Sequence, residues 1–464
     1  MGVSRYKQIL LFSFSTSRLL LFAFSTTIFL GSILLYLPIA TLPPHISYID
    51  ALFTATSATC VTGLIVVDTP SAFTFFGKSV ILFLIQAGGL GIMTFSFLPF
   101  LLLSKPLPFR GRLLVYETHL VSGISITVPR LILFLFGTTF AIEALGGLLL
   151  YTRLSFYDSL ALRDPRWFIA LFHSVSAYCN AGFALFSDNI ASFKNDNAVV
   201  IIHALLIILG GVGFFVMYDV YGLFIKLTKG DKKRLSLHTK ITLSVTISLL
   251  LIGTLLFYIL ERNSSLAYLT SGSKWINSFF HAATPRTAGF NTLDLSLMGS
   301  AAICLMLFLM FIGGSPGSTG GGIKTTTFGV LIGFVWSLIR GHTNVTLFGR
   351  EIPYTTVKKA MALCMLIQLF LLFCFMIMLC VPLSGPAPWN RHDIFLPYLF
   401  EIVSAFGTVG LSLGVTAWLG SFAKCIIIVV MFIGRVGPLT LAFSIGGREK
   451  EMLYSLPEED VMVG

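Results

Sequence analysis

Charged side chains are scarce in this sequence, and the scarcity excludes several classes of protein. Asp, Glu, Lys and Arg make up 11% of the 464 residues, whereas they make up about 25% of an average soluble domain. A soluble protein of this length needs more charge to cover its surface. The composition therefore excludes an ordinary soluble enzyme, a disordered chain and a nucleic-acid-binding protein.

Cysteine is also scarce, with seven residues and no CxxC pair, and most of the cysteines lie in apolar runs. That placement is typical of buried free thiols. The sequence has no DDxxD or HExxH motif, which a membrane-embedded transferase or hydrolase would need. No apolar run carries Arg at every third position, which argues against a voltage-gated channel. We therefore expect no enzymatic activity, no covalently bound cofactor and no metal beyond a transported ion.

Apolar residues, in contrast, make up 56% of the chain, and the mean hydropathy is +0.90. Crossing a hydrocarbon core of roughly 30 Å takes about 20 apolar residues. The first such run is followed by no small-residue cleavage site, which favours a retained membrane segment over a signal peptide. Eight membrane spans are predicted: 19–38, 78–103, 130–151, 198–225, 240–260, 300–338, 358–381 and 422–445. The sixth is too long for one span and is interrupted by glycines.

The distribution of Lys and Arg predicts the orientation of the chain in the membrane. The N-terminus, the C-terminal tail and the loops at 105–130, 226–240 and 340–359 hold 19 of the 31 basic residues. Because basic loops stay on the cytoplasmic side, both termini are predicted to be cytoplasmic. The densest basic run, at 226–234, fits simple topology and contact with the anionic lipid bilayer. A docking surface for a cytoplasmic partner is the alternative.

The eight spans form four successive pairs. Between the two spans of each pair lies an apolar stretch that is too short to cross a membrane. Backbone without regular structure is tolerated at membrane depth only where it lines an enclosed or watery cavity, so these stretches predict re-entrant hairpins that enter from outside. The hairpins lie at 51–64, 167–186, 275–290 and 394–414. They divide the chain into four repeats, 1–104, 105–226, 227–340 and 341–464, the last of which includes a cytoplasmic tail. We predict an all-α polytopic membrane protein whose four membrane-helix/re-entrant-hairpin/membrane-helix repeats surround one pseudo-fourfold pore.

The four hairpins share a motif in register. In each, a Phe stands ten residues before a Gly, and a small residue stands six residues before it. The four glycines are Gly63, Gly182, Gly289 and Gly410. The spans that follow carry AGGLG, LGGVG, IGGSPG and IGRVG, and the first Gly of each lies 24 to 28 residues after its hairpin glycine. Four aligned hairpins with four aligned downstream motifs indicate a fourfold internal repeat.

Each hairpin also begins with residues suited to the start of a helix. Predicted N-caps are Asp50, Asp164, Ser273 and Asp393, with Pro165 at a first helical position. The first of these helices, at about 53–59, would point its C-terminus into the membrane, and so would the other three. Because helix C-termini carry partial negative charge, four of them aimed at one centre favour a cation.

A dehydrated monovalent cation needs oxygen ligands, which four extended segments around an axis supply as rings of backbone carbonyls. Glycine favours the left-handed dihedrals that turn successive carbonyls toward one axis. The alternative is that each glycine only permits a tight turn or close helix packing, which explains one glycine better than four in register. The predicted selectivity filter consists of Val61, Thr62, Gly63, Asn180, Ala181, Gly182, Thr287, Ala288, Gly289, Thr408, Val409 and Gly410.

The sixth span is interrupted by a run of glycines with a proline, and no helix continues undisturbed through such a run. Transporters place ion pathways at discontinuous helices. A Walker A reading of GSTGGGIKT fails because Ile323 separates Gly322 from Lys324 and no strand precedes the motif. Candidate residues of the ion pathway are therefore Gly313, Gly314, Ser315, Gly317, Ser318, Thr319, Gly320, Gly321, Gly322 and Lys324, together with Arg435.

Arg435 replaces the second glycine of its downstream motif, and a charge at membrane depth is a functional candidate. We expect it to project into the conduction path beneath the filter. The alternative is a structural ion pair with Glu143 or Asp219. Glu143, Asp219 and Glu401 are interpreted as structural rather than ion-binding. His173 and His281 are interpreted as helix residues whose hydrogen bonds are satisfied within the fold.

These loops, together with SPGSTGGGIKT at 315–325 and GRVGPLT at 434–440, resemble the Trk/Ktr/HKT superfamily of potassium transporters across essentially the whole chain. The ending PEEDVMVG resembles the Ktr branch, whose membrane subunit forms the pore. The resemblance implies a homodimer, often with a cytoplasmic ring of nucleotide-binding regulatory subunits, and an intramembrane gating loop at 313–322. A glycine in every filter loop goes with potassium preference in that family. The third loop departs from the plainer loops by carrying Pro285 and Arg286, and the role of Arg286 stays open.

The resulting hypothesis is potassium uptake across the inner (cytoplasmic) membrane through a carbonyl-lined filter, gated by the glycine-rich loop and Arg435. Potassium is the transported ion, and sodium is a candidate activator. The alternative function is a symporter that strictly couples sodium or protons to potassium.

Overall fold

A computed structural model of the protein describes residues 16–91, 128–157, 163–228, 234–383 and 393–437. These residues form helices joined by short loops, with one two-stranded hairpin, so the predicted all-α class is confirmed. The strands are β1 (Val345–Leu347) and β2 (Arg350–Ile352). The helices are α1 (Thr16–Tyr36), α2 (Tyr48–Thr59), α3 (Thr69–Ala72), α4 (Phe75–Gly89), α5 (Val128–Leu154), α6 (Arg166–Tyr178), α7 (Asn197–Val212), α8 (Phe214–Thr228), α9 (Leu237–Glu261), α10 (Ser271–Ala283), α11 (Ser300–Phe311), α12 (Thr325–Ile339), α13 (Tyr354–Cys380), α14 (Phe395–Gly407) and α15 (Ser421–Val436).

Among the described residues, three helices are long and apolar enough to cross a bilayer: Arg130–Leu154, Leu237–Glu261 and Tyr354–Cys380. A fourth span is obtained if α7 and α8 are counted together, although they meet at an angle of 94°. The second and eighth predicted spans, at 78–103 and 422–445, continue outside the described residues.

The predicted span at 198–225 is broken, because the chain bends between α7 and α8 at Gly213. Gly213 has a φ of +89°, and a Cβ built on it would lie 2.7 Å from the carbonyl oxygen of Pro316. Another segment of backbone therefore packs directly against the bend, which only a residue without a side chain permits. The predicted interruption of the sixth span is confirmed, since α11 ends at Phe311 and α12 begins at Thr325.

Four short helices, α2, α6, α10 and α14, precede the four repeat glycines, but the predicted N-caps are wrong. The hydroxyl of Ser47 caps α2 and accepts from the Asp50 amide at 3.2 Å, and Thr270 caps α10 in the same way at 3.4 Å from the Ser273 amide. Pro165 and Ile394 occupy the cap positions of α6 and α14, without a side-chain capping bond. In the first and third repeats, a Ser or a Thr upstream of the predicted cap satisfies the free amides at the start of the helix. The predicted cap residue is therefore not needed for this role.

Three of the residues predicted as caps instead join neighbouring repeats. Lys78 of α4 pairs with Asp164 at 2.6 Å, and Lys424 of α15 pairs with Asp50 at 2.6 Å. The hydroxyl of Ser273 donates to the Asn197 side chain at 2.9 Å. These contacts join repeat one to two, repeat four to one and repeat two to three. The hydrophobic clusters also combine residues of adjacent repeats, so packing between repeats holds the four units in one body.

Candidate functional site

After each short helix the chain passes through a segment that we term a glycine loop, named for Gly63, Gly182, Gly289 or Gly410. All four glycines have a positive φ, between 70° and 90°. The residue two positions earlier also has a positive φ in every loop, at 58° for Val61 and Asn180, 82° for Thr287 and 51° for Thr408. In an ordinary strand successive carbonyls point to opposite sides. A left-handed residue at every second position turns alternate peptide units over, so successive carbonyls face one side.

Val61, Asn180, Thr287 and Thr408 belong to the predicted filter, but their left-handed conformation was not predicted, because the sequence assigns the unusual dihedrals to glycine alone. Such a conformation costs roughly 1–3 kcal/mol per residue and persists only where the surroundings impose it. Asn180 carries the one local signal, because Asn tolerates the left-handed region. Val61, Thr287 and Thr408 carry no such signal in their residue type. Each follows the end of its short helix, where the next amide turns back to a helix carbonyl: the Thr62 amide to Ser57, the Ala288 amide to Thr284 and the Val409 amide to Ser404.

The four glycine loops close on one another in the order of the repeats. A Cβ built on Gly182 would lie 2.8 Å from the carbonyl oxygen of Ala288. A Cβ on Gly63, Gly289 or Gly410 would collide with the carbonyl oxygen that precedes the glycine of the following loop. The colliding oxygens belong to Ala181, Val409 and Thr62, in that order. Each glycine loop therefore contacts the next one along the chain, and the fourth contacts the first. The four loops form a closed ring of backbone.

Hydroxyl groups at the ends of the short helices hold the glycine loops in place. Ser57 and Ser404 accept from the amides of Gly63 and Gly410 at 3.0 and 3.1 Å. Ser176 donates to the carbonyl of Phe183 at 2.7 Å. In the third repeat the position six residues before the glycine is an alanine, and the neighbouring Thr284 donates to the Phe290 carbonyl at 2.6 Å. Three of the four small residues identified in the sequence motif thus bond their own loops, and Thr284 does so in place of Ala283.

On one side of the ring lies a cavity of about 830 Å³ to which all four repeat glycines contribute. Its wall includes the carboxylates of Asp68, Asp188 and Asp294. A cavity lined by one sign of charge raises the local concentration of the opposite ion. The cavity therefore attracts cations to the ring.

The downstream glycines bring the second helix of a repeat against the end of its short helix. A Cβ on Gly88, Gly210 or Gly434 would collide with a carbonyl oxygen four residues before the loop glycine, on Thr59, Tyr178 and Phe406 respectively. Gly313, the equivalent in the third repeat, instead packs against the carbonyl of Gly321. The helices approach this closely because the glycines lack side chains, which explains the repeated downstream motif.

The glycine-rich segment between α11 and α12, which we term the 313–322 loop, lies against the ring. Gly321 donates to the Thr408 hydroxyl at 3.0 Å. Ser315 and Thr319 donate their amides to the carbonyls of Gly211 and Gly210 at 3.0 and 3.3 Å. The ammonium of Lys324 donates to the Gly320 carbonyl at 2.7 Å. The loop thus contacts repeats two and four through polar groups as well as its own helices.

Arg435 joins the 313–322 loop to the first repeat, since its guanidinium donates to the carbonyls of Thr319 and Gly88. It also lines a cavity of about 200 Å³ with Tyr178 and Thr319. The two carboxylates named as examples of an ion-pair partner for Arg435 form bonds elsewhere in the described part of the chain. Glu143 accepts from the Gln86 amide at 3.1 Å, and Asp219 accepts from the Thr239 hydroxyl at 2.8 Å.

Arg286, whose role the sequence left open, is buried and donates to the Thr246 hydroxyl of α9 at 3.3 Å. It lies next to Thr287, so this bond links the third glycine loop to the preceding membrane helix. Asn180 of the second loop reaches Thr287 as well, at 3.1 Å between its side chain and the threonine hydroxyl. The second and third loops are therefore bonded to each other directly.

Four helix-and-loop units that enclose one axis within a multi-pass helical protein define the pore-loop class of membrane transport proteins. The chain belongs to the TrkH family, described as cation transport proteins, whose sequence profile matches residues 20–450. The resemblance stated from the motifs is thereby confirmed, and the protein is an integral membrane transporter and not an enzyme.

Relatives of known name match the chain over most of its length. Ktr system potassium uptake protein B of Bacillus subtilis is 41% identical over 473 residues, which covers 100% of both chains. The protein of the same name from Vibrio alginolyticus is 40% identical, over 96% of this chain and 94% of that one. The potassium/sodium uptake protein NtpJ of Enterococcus hirae is 37% identical, over 90% of each chain. The crystal structure of the potassium transporter TrkH from Vibrio parahaemolyticus has the same fold, with a TM-score of 0.68 at 20% identity, over 92% of this chain and 83% of that one.

Proposed function

We propose that this protein takes up potassium across the cytoplasmic membrane and that the four glycine loops are its selectivity filter. The observation that carries the proposal is the closed ring, in which each loop glycine lies against a carbonyl of the following loop. Backbone carbonyls around an axis replace the hydration shell of a monovalent cation. The names of the relatives from Bacillus subtilis and Vibrio alginolyticus, which specify potassium uptake, support potassium as the ion.

In this proposal the four repeats, 1–104, 105–226, 227–340 and 341–464, each contribute one loop, and both termini are cytoplasmic. The acidic cavity of about 830 Å³ is then the outer entrance to the ring. The 313–322 loop, Lys324 and Arg435 lie on the inner side and act as the gate. Two cationic side chains below a cation filter raise the electrostatic barrier to exit, and displacement of the loop would lower it.

We further propose a homodimer that is regulated by a cytoplasmic ring of nucleotide-binding subunits. This rests on the resemblance to the Ktr branch and on the words "Ktr system" in the names of two relatives. Copurification of the chain with a cytoplasmic subunit, and its release on changing the bound nucleotide, would test this part.

A sodium-coupled symporter is the second candidate, and the name of the Enterococcus hirae relative, a potassium/sodium uptake protein, favours it. Flux into proteoliposomes of the purified chain, with potassium, sodium or both outside, distinguishes the two. A passive pore gives saturating potassium flux without sodium, whereas a symporter gives potassium flux only with a fixed ratio of sodium flux. Absence of potassium flux under every condition would refute both.

A further inference from the structure

Three of the four short helices carry a buried polar side chain that reaches forward to its own glycine loop. His173 and Glu401 stand nine residues before Gly182 and Gly410, and His281 stands eight before Gly289. Their exposed fractions are 1% or less. The sequence predicts a structural role for these residues, because no local motif shows their partners across the loop.

His173 bonds the backbone just beyond the second loop glycine. Its Nε2 accepts from the amide of Leu185 at 3.1 Å, and its Nδ1 lies 3.4 Å from Nε2 of His203. The Nδ1 of His203 lies 2.9 Å from the carbonyl of Val199, where it can only donate. The bonds are all satisfied when both rings are neutral, with His173 donating to His203. The second loop is therefore fixed at Leu185, three residues after its glycine.

His281 makes the corresponding contact in the third repeat. Its Nε2 lies 3.2 Å from the hydroxyl of Thr292, which is three residues after Gly289. That hydroxyl donates to the side chain of Asn277, so it accepts from His281. The two histidines differ by one position in the motif but contact the same position of the returning chain.

Glu401 takes this place in the fourth repeat. Its carboxylate accepts from the hydroxyl of Ser412 at 2.7 Å and from that of Thr416. Ser412 stands two residues after Gly410, and its oxygen also accepts from the Gly414 amide at 3.0 Å. Ser412 lines the acidic cavity beside the ring, so this contact holds the wall of the cavity as well as the loop.

The first repeat differs from the other three. Thr54 stands nine residues before Gly63, but its hydroxyl donates to the Asp50 carbonyl of its own helix at 2.8 Å. In the described part of the first repeat, the residue nine positions before the loop glycine therefore bonds its own helix and not the glycine loop. This difference supplies an internal control at an equivalent position.

We propose that His173, His281 and Glu401 are positioning residues that hold the outer ends of three filter loops and thereby set the preference for potassium over sodium. The inference rests on the proposed function of the ring. Discrimination between cations of different size requires that carbonyl positions be fixed by bonded neighbours. The loop segments after the glycines belong to no helix or strand, so side-chain bonds such as these fix them together with the ring contacts and the packing of the buried Phe183, Phe290 and Leu411.

The test compares ion competition in proteoliposomes for His173→Phe, Glu401→Leu, the conservative Glu401→Gln and the control Thr54→Val. His173→Phe removes the bond to the Leu185 amide and should reduce potassium preference over sodium by about twofold to tenfold, the size expected for one hydrogen bond. Glu401→Leu removes two hydroxyl bonds and should reduce the preference at least as much. Glu401→Gln keeps an acceptor oxygen and should restore most of the preference. Thr54→Val should leave it unchanged. Thr292→Val and Ser412→Ala remove two of the same contacts by changing the loop residue instead of the helix residue. They replace the helix variants in the test if a helix variant does not fold.

Unchanged preference in all variants that elute and melt like the parent would overturn the proposal while leaving potassium transport intact. A fall in preference for Thr54→Val equal to that for His173→Phe would also overturn it, because the effect would then be a general response to helix substitution. Failure of the parent protein to transport potassium would instead refute the proposed function.

Discussion

Gly63 lies against the carbonyl oxygen of Ala181, and a Cβ at Gly63 would collide with that oxygen. The glycine also has a φ of +89°, which L-residues rarely adopt. The two conditions act together, since the left-handed dihedral directs the backbone of loop one onto loop two. Replacement of this glycine therefore disturbs two loops and not one.

Gly63→Ser should lower the preference for potassium over sodium while the protein still assembles. The new side chain forces the carbonyl of Ala181 away from its place in the ring, so the oxygens no longer match one ion size. Ion competition in proteoliposomes measures the change. Gly137→Ser is the control, because a Cβ at Gly137 meets nothing within 4 Å. Equal selectivity of Gly63→Ser and the parent would refute the assignment of loop one to the filter.

The ion pair of Lys78 and Asp164 should contribute more to stability than an exposed ion pair of the same charges does. The side chains are only 3% and 9% exposed, and removing one partner of a buried pair costs about 3–5 kcal/mol. Asp164→Ala should lower the melting temperature markedly, and the double variant Lys78→Met/Asp164→Leu should recover most of the loss. Arg153→Gln provides the comparison, since Arg153 is 42% exposed and its buried partner Asp196 keeps bonds from the Tyr157 hydroxyl and the Ala198 amide. This variant should therefore lose less stability than Asp164→Ala. A double variant no better than Asp164→Ala would contradict the expectation.

Asp196, at the start of α7, should make stability depend on pH. Burial raises the pKa of this carboxyl, but bonds from Arg153, Tyr157 and the Val199 amide outweigh burial and hold the pKa below its ordinary value. A lowered pKa in the folded state gives stability that is present above the unfolded pKa and is lost as the pH falls through the folded value. The melting temperature of Asp196→Asn should thus lie below that of the parent at neutral pH. The difference should shrink in acid, and a constant difference would contradict the assignment.

The sequence predicts those features of this fold that depend on local spacing, and it misses those that depend on distant contacts. The positive φ of the four loop glycines and the interruption at 313–322 follow from the residue types at those positions, since glycine permits left-handed dihedrals and proline interrupts a helix. The bend at Gly213 depends on the carbonyl of Pro316, about a hundred residues away. Likewise Asp50 looks like a helix cap in sequence, but its carboxylate bonds Lys424 from the other end of the chain.

Deletion of residues 314–321 should raise potassium flux and retain selectivity. The two ends of the deleted segment are already adjacent, because a Cβ on Gly313 would lie 3.1 Å from the Cα of Gly322. Ile312 and Ile323 also form a parallel bridge. Bonded residues have Cα atoms about 3.8 Å apart, so the deletion can close with little movement of α11 and α12. Flux should be compared in protein that elutes as the parent does. Loss of flux in such protein would mean that the segment belongs to the conduction path and does not obstruct it.

Arg435→Ala should raise the maximal potassium flux and leave the melting temperature nearly unchanged. The guanidinium bonds the carbonyls of Thr319 and Gly88, so its removal frees the 313–322 loop and strands no carboxylate. If Arg435 belongs to the gate as proposed, the substitution also removes a charge from the ion route, where two charges about 4 Å apart interact by about 4 kcal/mol at an effective dielectric constant of 20.

Arg435→Lys separates the two effects, because it keeps the charge but not the two-carbonyl geometry of the guanidinium. If charge dominates, its flux should stay near that of the parent, and if the bond to the loop dominates, its flux should approach that of Arg435→Ala. Arg340→Ala is the control for loss of a cation elsewhere, since Arg340 stacks on Trp336 at the end of α12 and is exposed. Flux and melting temperature are measured on one preparation of each variant. Slower flux together with a large fall in melting temperature for Arg435→Ala would show that Arg435 supports the fold and does not restrict the pathway.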